Sequence, residues 1–412
     1  MPQWSDYTNG QRIKILRGTE LRQPDLAELT GLSVVTIQKA EQDKALSLTT
    51  LLKIAGALGV DTSVILGQQA PRRTMSQDDR AMVRALSRAV HDSWVGLLPA
   101  TTEPVAANEL RDAIDRCWAM YWDGDYVEAG AVIAPLLAAA AAHRHDQPHD
   151  RQAAALGLLS DAYRLAAYVA NLMGARDLAY AAIGHAQEAA SSGADDLRQA
   201  LVTSGRAWVY LRDARLREAL ELAERSAVDI EPKFSRASAE ELVAYGSHIN
   251  FAAVVASRLE DRSRAAEHLS QSHAAGARLG SERRAHGTVF GPVSATTQAV
   301  GVNLALGRAG KALALIDSIS DVSSLSEAAQ NRYAMDKAMA QAEAKMWDAS
   351  LDTLEETLRR APAWARHQAL PGVIVQKVGA ASTARLRRVS KLIGSAGGGM
   401  GGFDPATEKS AL

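Results

Sequence analysis

Residues 23–42 read QPDLAELTGLSVVTIQKAEQ, and their spacing predicts two short helices joined by a tight turn. Pro24 suits the first turn of a helix, because its missing N–H would have no partner there. Gly31 stands where the first helix must end in a left-handed residue, a conformation that glycine adopts without steric cost. Ser33 can then cap a second helix, in which Ile37 faces inward. The stretch therefore predicts a rigid two-helix corner.

Further helices are predicted on both sides of this corner. QRIKILRG at 11–18 is amphipathic and indicates a preceding helix. In the following segment, 47–67, Ser47 is a cap for an apolar helix and Gly59 is its stop. A short helix near Val64 closes a five-helix unit of the size that a small domain needs.

The whole segment 9–67 resembles the lambda-repressor-like, or XRE, family of bacterial regulators. The residues that carry the resemblance are LRGTEL, RQPDLAELTGLS, TIQKAEQ and LLKIAGALGV. The resemblance implies a helix-turn-helix that binds a double-stranded DNA operator. It also implies an ion pair between Arg17 and Glu41, so that Glu41 has a structural role rather than a contact with DNA.

The second helix of such a motif enters the major groove with its first residues. By position, the residues predicted to reach the base edges are Val34, Val35, Gln38 and Lys39. The two valines can touch thymine methyl groups, whereas glutamine and lysine can reach acceptors on the bases. Contacts with phosphates, which fix the register, are predicted for Gln23, Ser33 and Lys44.

Charge indicates that one such unit binds DNA weakly. The net charge of the chain is −1. Within residues 1–70, seven Lys and Arg balance seven Asp and Glu, so non-specific attraction to phosphates is small. We therefore expect a homodimer that reads two half-sites.

Composition indicates a soluble, helical protein. At 412 residues the chain is long enough for two or three domains. Aromatic residues make up only 5% of it, which favours helix over sheet. The single cysteine, Cys117, excludes an internal disulfide. Neither a signal peptide nor an apolar run of membrane-spanning length is evident, so we expect a cytoplasmic protein with no membrane partner.

An internal repeat follows the first domain. WDGDYVEA at 122–129 matches the turn and second-helix start of a tetratricopeptide (TPR) repeat, and five weaker copies follow. They are anchored on alanines that permit close helix crossing: Ala129, Ala179, Ala219, Ala265, Ala312 and Ala349. The steps of 50, 40, 46, 47 and 37 residues exceed the usual period of about 34. Six helix pairs would bury a continuous core; an irregular helical bundle is the alternative.

We therefore predict an all-α fold, in which a five-helix lambda-repressor-like domain is followed by an α-solenoid of TPR-like helix pairs. The predicted divisions are 1–68 for the DNA-binding domain, 69–105 for a linker with one helix, 106–393 for the solenoid and 394–412 for a disordered tail. The linker helix is predicted to begin with a Ser76 cap and to reach about Trp94. The tail is rich in glycine and lacks apolar periodicity.

This combination resembles a broad class of Gram-positive regulators that includes the peptide-pheromone receptors of quorum sensing, and its composition is similar to that of actinobacterial members. The resemblance implies a transcription factor whose solenoid dimerises and senses a peptide or small-molecule effector. The alternative is a TPR scaffold that recruits a protein partner to DNA or represses its own gene.

A TPR groove is lined by one face of the first helix of each repeat. Counting back from the alanine anchors predicts these ligand-binding residues: Asp161, Arg164, Tyr168, Asn171, Ser204, Trp208, Arg212, Ser247, Asn250, Gln298 and Asn331. Such side chains can hydrogen-bond a peptide backbone and contact its side chains. A solvated concave face without a ligand is the alternative.

No catalytic constellation, cofactor motif or metal site is predicted, so an enzyme is the least favoured class. The sequence has no phosphate loop, nucleophile elbow or HExxH. AHRHDQPHD at 142–150 clusters His143, His145 and His149, but Pro148 and a position between helices indicate an exposed loop.

Overall fold

The computed structural model describes residues 4, 7–18, 21–44, 46–67, 77–99, 105–193, 195–365, 367–379, 388–389 and 392–393. These residues are overwhelmingly helical, with one two-stranded hairpin. The predicted all-α class is confirmed: a helix-turn-helix region is followed by a helical, repeat-like region. The predicted Ser76 cap and the tail 394–412 lie outside the described residues.

The first region, here called the head, contains five helices: α1 Asn9–Arg17, α2 Gln23–Thr30, α3 Val34–Glu41, α4 Leu48–Ala57 and α5 Thr62–Ile65. Its core is formed by fully buried aliphatic side chains, among them Ile13, Leu26, Ile37 and Ile54. These are the inward faces that the helical periodicity predicts.

Local signals end and begin the head helices as predicted. Gly31 terminates α2 in the left-handed region, with φ of 62°. Ser33 caps α3 by accepting a hydrogen bond from Thr36 N at 3.1 Å. Ser47 caps α4 in the same way, from Thr50 N at 3.1 Å. Because each cap satisfies an otherwise unpaired backbone donor, the helix boundaries are set locally.

Within the described residues, six helical hairpins follow the head, and they are here called the repeat region. Helix α6, Gln77–Val95, precedes them, and α19 Pro362–Ala365 and α20 Leu370–Val378 follow them. The paired helices are α7 Ala107–Asp123 with α8 Tyr126–Asp146, α9 Gln152–Leu172 with α10 Arg176–Ser191, α11 Asp196–Arg212 with α12 Leu216–Asp229, α13 Ala239–Arg258 with α14 Arg262–Leu279, α15 Pro292–Ala305 with α16 Ala309–Ser318, and α17 Glu327–Glu343 with α18 Trp347–Arg360.

The six hairpins share one turn geometry. Two residues before each second helix, the backbone takes a positive φ, at Gly124, Gly174, Ala214, Glu260, Gly307 and Lys345. Five residues after each of these lies a fully buried small side chain, at Ala129, Ala179, Ala219, Ala265, Ala312 and Ser350. The repeat thus keeps its turn and its close helix crossing, although the helix lengths vary.

This shared register corrects one predicted anchor. The sequence predicts Ala349, but Ala349 is half-buried, and Ser350 is 0% exposed. Ser350 Oγ donates to Ala338 O at 2.7 Å, so a polar side chain fills the position without leaving a buried group unsatisfied. Because the prediction required an alanine at each anchor, it selected Ala349 instead of the neighbouring Ser350.

Helix α6 belongs to the folded body rather than spanning a gap. Its residues Met82, Leu86 and Val90 are buried in the same apolar cluster as α8 and α9. Ser93 Oγ lies 2.9 Å from Tyr163 OH of α9. The helix predicted within the linker therefore fixes the start of the repeat region.

The solenoid predicted for 106–393 contains only helix pairs, and this is wrong at residues 283–290. Strands β1 Arg283–Ala285 and β2 Thr288–Phe290 form an antiparallel hairpin between α14 and α15. His286 and Gly287, with φ of 51° and 70°, form its two-residue turn, as a primed turn requires. The strand TVF has only three residues, which is too short for an alternating pattern to be recognised in a sequence that is otherwise helical.

Helix α8 corrects the expectation about apolar runs. Tyr126–Asp146 is long and apolar enough, by length and composition, to cross a membrane, and 56% of its most apolar window is buried inside the protein. Its apolar character comes largely from alanines that contact α6, α7 and α9. A buried core helix passes the same test, so this helix is weak support for a membrane span.

Candidate functional site

The surface of α3 presents the side chains that the motif predicts for DNA. Val35, Gln38 and Lys39 are exposed, and Val34 is half-buried. Ser33 and Lys44 flank the helix and are also exposed. An exposed helix whose inner face is held by Ile37 and Ala40 can enter a major groove without unfolding its support.

A buried carboxylate holds the corner together. Glu41 ends α3, and its side chain is only 1% exposed. Arg17 Nε donates to Glu41 Oε1 at 2.7 Å, which confirms the predicted pair. Gln23 Nε2 donates to Glu41 Oε2, also at 2.7 Å. The glutamine predicted to contact phosphate therefore also ties the start of α2 to the end of α3.

The loop after α3 is held from two sides. Asp43 Oδ1 accepts a hydrogen bond from Gly10 N of α1 at 2.7 Å. From α20, at the far end of the chain, Gln376 Nε2 donates to Lys44 O at 3.2 Å and lies 3.5 Å from Asp43 O. The DNA-facing corner is thus in contact with α20, the helix that follows the repeat region.

This geometry, with an exposed α3 held against α2 by a left-handed glycine turn, is that of a helix-turn-helix DNA-binding domain. A family model described as "Helix-turn-helix" matches residues 20–65. The head is thus a helix-turn-helix domain of the XRE type, and the chain is a DNA-binding transcription regulator whose partner is double-stranded DNA. Comparison with curated proteins and with solved structures found no match.

An ion-pair cluster, here called the clamp, fastens the head to the repeat region. Asp61, which caps α5, is 6% exposed. Arg212 Nη2 of α11 lies 2.6 Å from Asp61 Oδ2, and Arg176 Nη2 of α10 lies 3.9 Å from it. Burial raises the pKa of Asp61, but Arg212, Ser63 and Arg176 together outweigh it and hold the pKa below 3.8. The Asp61 carboxylate is therefore charged near neutral pH, and its ion pairs with Arg212 and Arg176 hold the head against the repeat region.

The structure scatters most of the predicted groove residues into contacts of their own. Arg212 serves the clamp. Asn331 Oδ1 accepts from Arg360 Nη2 at 2.7 Å, and Asn250 Oδ1 accepts from Ser272 Oγ at 3.1 Å. Ser247 Oγ donates to Ala244 O. Ser204 and Gln298 are half-buried, and Asn171 is 2% exposed. Most of the predicted groove side chains thus have partners within the protein, and a ligand groove along the second to sixth repeats stays a prediction.

Two of the predicted residues, Asp161 and Arg164, line a cavity of about 320 Å³ between α7, α9 and α11. Its charged walls are three arginines and three aspartates: Arg111, Arg164, Arg198, Asp115, Asp161 and Asp195. Arg198 Nε lies 3.3 Å from Asp161 Oδ2 and also pairs with Asp195. Burial, with the charges of Asp112 and Asp161, raises the pKa of Asp115.

The hairpin β1–β2 forms the roof of this cavity. Trp122 Nε1 donates to Gly287 O at 3.1 Å, and Arg164 Nη2 donates to His286 O at 2.6 Å. A Cβ on Gly287 would lie 2.5 Å from Trp118 Nε1, so only glycine lets the hairpin close down on the indole. Sequence analysis missed this roof; the His-Gly pair before TVF is the signal that could have found it.

Aromatic side chains connect the cavity wall with the clamp. Trp118 lies edge-on to Tyr168 at 5.2 Å and to Tyr121 at 5.6 Å between ring centroids. Tyr168 in turn lies 4.8 Å from Trp208. Burial, together with Tyr126 and Tyr168, raises the pKa of Tyr121, and the charge of Arg212 opposes the rise. The clamp residue Arg212 lies one turn after Trp208 on α11. The predicted residues Tyr168 and Trp208 thus belong to a partly buried aromatic layer.

The histidine tract does not form a compact metal-binding group. Within the described residues, no three His, Cys, Asp or Glu side chains lie close enough to hold a metal ion. His143 is on α8 rather than in a loop, is 7% exposed, and its Nδ1 lies 2.8 Å from Val105 O. His145 and His149 are exposed.

Burial raises the pKa of Cys117 to about 11, which makes its thiol unreactive near neutral pH.

Proposed function

We propose that this protein is a cytoplasmic, homodimeric transcriptional regulator whose DNA binding is controlled by an effector in the repeat region. The observation that carries the proposal is the clamp, because Asp61 of the head is held by Arg212 and Arg176 of the repeat region. A change of the repeat region can reach the head through this ion-pair cluster. The resemblance of the hairpins to TPR repeats supports the same class.

The DNA side of the proposal rests on α3. Gln38 and Lys39 supply hydrogen bonds to base edges, while Val34 and Val35 contact thymine methyl groups. Ser33, Gln23 and Lys44 fix the register through phosphates. Since the head has balanced charge, most of the affinity comes from two heads bound to neighbouring half-sites, about 34–36 Å apart on one face of the duplex.

The effector side rests on the route from the cavity to the clamp. A ligand beside Trp118 and Arg164 displaces the hairpin roof or the aromatic layer of Tyr121 and Tyr168. Arg212 lies next to this layer. The strength of its ion pair with Asp61 therefore differs between the ligand-free and the ligand-bound protein. The ligand thereby biases the orientation of the head, and the coupling between the sites is reciprocal.

A second candidate function, a scaffold for a protein partner, is favoured by an open groove between α6 and α10. The groove has a volume of about 660 Å³ and is lined by Arg80, Arg84 and Arg88 on one face of α6. Three exposed arginines at four-residue spacing suit an acidic protein surface. Co-purification of an acidic protein that is lost in an Arg84→Glu and Arg88→Glu variant would support this function.

The primary test selects bound DNA from a random pool with the full-length protein, followed by affinity measurement on the selected site. We expect a two-fold symmetric site bound by a dimer. Gln38→Ala should weaken binding about tenfold and relax the preference at one position of each half-site, because a base contact is worth roughly 1–3 kcal/mol.

The matched control is Arg225→Ala, which changes an exposed side chain of α12 outside the head and outside the clamp. It should bind the selected site as the wild type does. Recovery of no consensus, or equal affinity of the Gln38→Ala variant for every site, would contradict the assignment of α3 as the reading helix.

A further inference from the structure

We infer that the cavity beneath the hairpin β1–β2 binds a compact zwitterion of the amino-acid type. The inference rests on the proposed function, since it names the effector class of that site. The cavity volume, two buried donors without partners and a balanced set of charges carry it.

The first observation is a pair of unsatisfied donors at the cavity wall. Trp118 and Arg164 are 3% and 2% exposed. Among the described residues, neither Trp118 Nε1 nor Arg164 Nε has a hydrogen-bond partner. The Arg164 guanidinium lies over the Trp118 ring at 4.7 Å, so the two donors belong to side chains that are in contact with each other. A buried donor without a hydrogen bond lowers stability. A ligand whose oxygens accept hydrogen bonds from these donors removes that penalty.

The second observation is charge. The cavity lining contains three arginines and three aspartates, Arg111, Arg164, Arg198, Asp115, Asp161 and Asp195, so the formal charges cancel. A ligand with a large net charge of either sign would leave part of this wall unbalanced. Within the part of the chain that the structure describes, no ion pair is formed by Asp115, which lies one turn before Trp118 on α7. A ligand ammonium group beside Asp115 and a carboxylate beside Trp118 match this arrangement.

The third observation is size. A cavity of about 320 Å³ is at the lower end of small-molecule sites. The hairpin tip covers it through the bonds of Trp122 to Gly287 O and of Arg164 to His286 O. An extended peptide would need the space that the hairpin fills. The fold therefore favours a free amino acid or dipeptide over a long peptide effector.

The experiment is calorimetric titration of the full-length protein, without DNA, with each of the standard amino acids and with diglycine, succinate and putrescine. Succinate carries only carboxylates, and putrescine carries only amines. We expect saturable binding of at least one zwitterion. Arg164→Lys keeps the charge but removes Nε, and Trp118→Phe keeps an aromatic ring but removes the indole donor. Each should weaken that binding about tenfold.

Matched controls are Arg225→Gln on α12 and Trp347→Phe on α18, which lie outside the cavity. They should bind the zwitterion as the wild type does. Thermal melting verifies that each variant is folded, and because the two test variants change different helices, one suffices if the other does not fold.

Three results would overturn the inference: binding by none of the zwitterions, binding by succinate or putrescine alone, or unchanged binding in both test variants. A zwitterion that binds but leaves operator affinity unchanged would support the site and refute effector control. Operator affinity that responds only to a long peptide would support effector control and overturn the zwitterion site.

Discussion

Glu41 shows how much of the head depends on one side chain. Its carboxylate is buried between α1, α2 and α3 and accepts from both Arg17 and Gln23. The sequence predicted the Arg17 pair through a family resemblance, but it assigned Gln23 only to phosphate. A glutamine amide has two N–H groups, so one can hold Glu41 while the other remains for DNA.

Glu41→Gln should lower the free energy of unfolding of the head by about 2 kcal/mol. The change keeps the shape of the side chain, but it leaves the Arg17 guanidinium, 17% exposed, without its counter-charge. Urea unfolding followed by amide exchange of α1–α5 measures the loss. Glu28→Gln, an exposed change on α2, is the control; equal effects of the two would argue against the buried pair.

His248 makes stability depend on pH. It is 1% exposed on α13, its Nδ1 lies 2.7 Å from Ala244 O and its Nε2 3.1 Å from Ala200 O. Burial lowers the pKa of His248 from 6.5 to about 4, against the opposing effect of the two carbonyls. Between pH 6.5 and about pH 4, His248 is therefore neutral in the folded protein and protonated in the unfolded chain.

The free energy of unfolding should accordingly fall by about 2 kcal/mol from roughly pH 7.5 to pH 5 on account of His248. Above the unfolded pKa both states are neutral and the residue has no effect. Urea unfolding of wild type and His248→Asn at both pH values measures the difference in slope. His145→Asn, on the exposed end of α8, should retain the wild-type slope, and a parallel decline in all three proteins would contradict the assignment.

At the scale of the element, the hairpins of the repeat region are set by their turns. Gly124, Gly174 and Gly307 take the left-handed conformation without cost, whereas Ala214, Glu260 and Lys345 take it with a side chain. The glycine turns are readable in the sequence. The other three are not, because tertiary contacts of the paired helices enforce the conformation against local preference.

Lys345→Gly should raise the free energy of unfolding by roughly 0.5–1 kcal/mol. Lys345 is exposed with φ of 61°, and glycine relieves the steric strain of that conformation. The neighbouring Ala344, with φ of −83°, is the matched control, because Ala344→Gly should lower stability by a similar amount. Thermal and urea unfolding provide the measurement; stabilisation by both or by neither would contradict the argument.

At the scale of the whole molecule, the clamp makes head and repeat region one body. Gly56 of α4 lies so close to Ala214 that a Cβ there would be 2.6 Å from the Ala214 side chain. Arg212 and Arg176 hold Asp61 beside this contact. Because the pKa of Asp61 is lowered below 3.8, the ion pair is complete near neutral pH and is lost only as the pH falls through the lowered value.

Arg212→Gln should loosen the head without unfolding the repeat region. Asp61 retains Arg176 at a longer distance, so we expect a loss of about 2 kcal/mol at the interface. Hydrogen exchange should become faster in α4 and α5 and remain unchanged in α13 and α14. Arg225→Gln is the control. Uniform acceleration along the chain, or none at α4 and α5, would show that the clamp does not join the two regions.

The two-helix corner and the recurrence of helical hairpins could be predicted from the sequence, because they depend on caps, left-handed glycines and apolar periodicity, which act over a few residues. The Arg17–Glu41 pair was predictable only through the family resemblance. The clamp, the hairpin roof and the cavity could not be predicted from the sequence, because they join distant parts of the chain: Asp61 and Arg212 are 151 residues apart. Such contacts depend on the angle by which each helix pair is rotated relative to the preceding one. The angles add up along the repeat region, and each is set by the side chains packed between two neighbouring pairs.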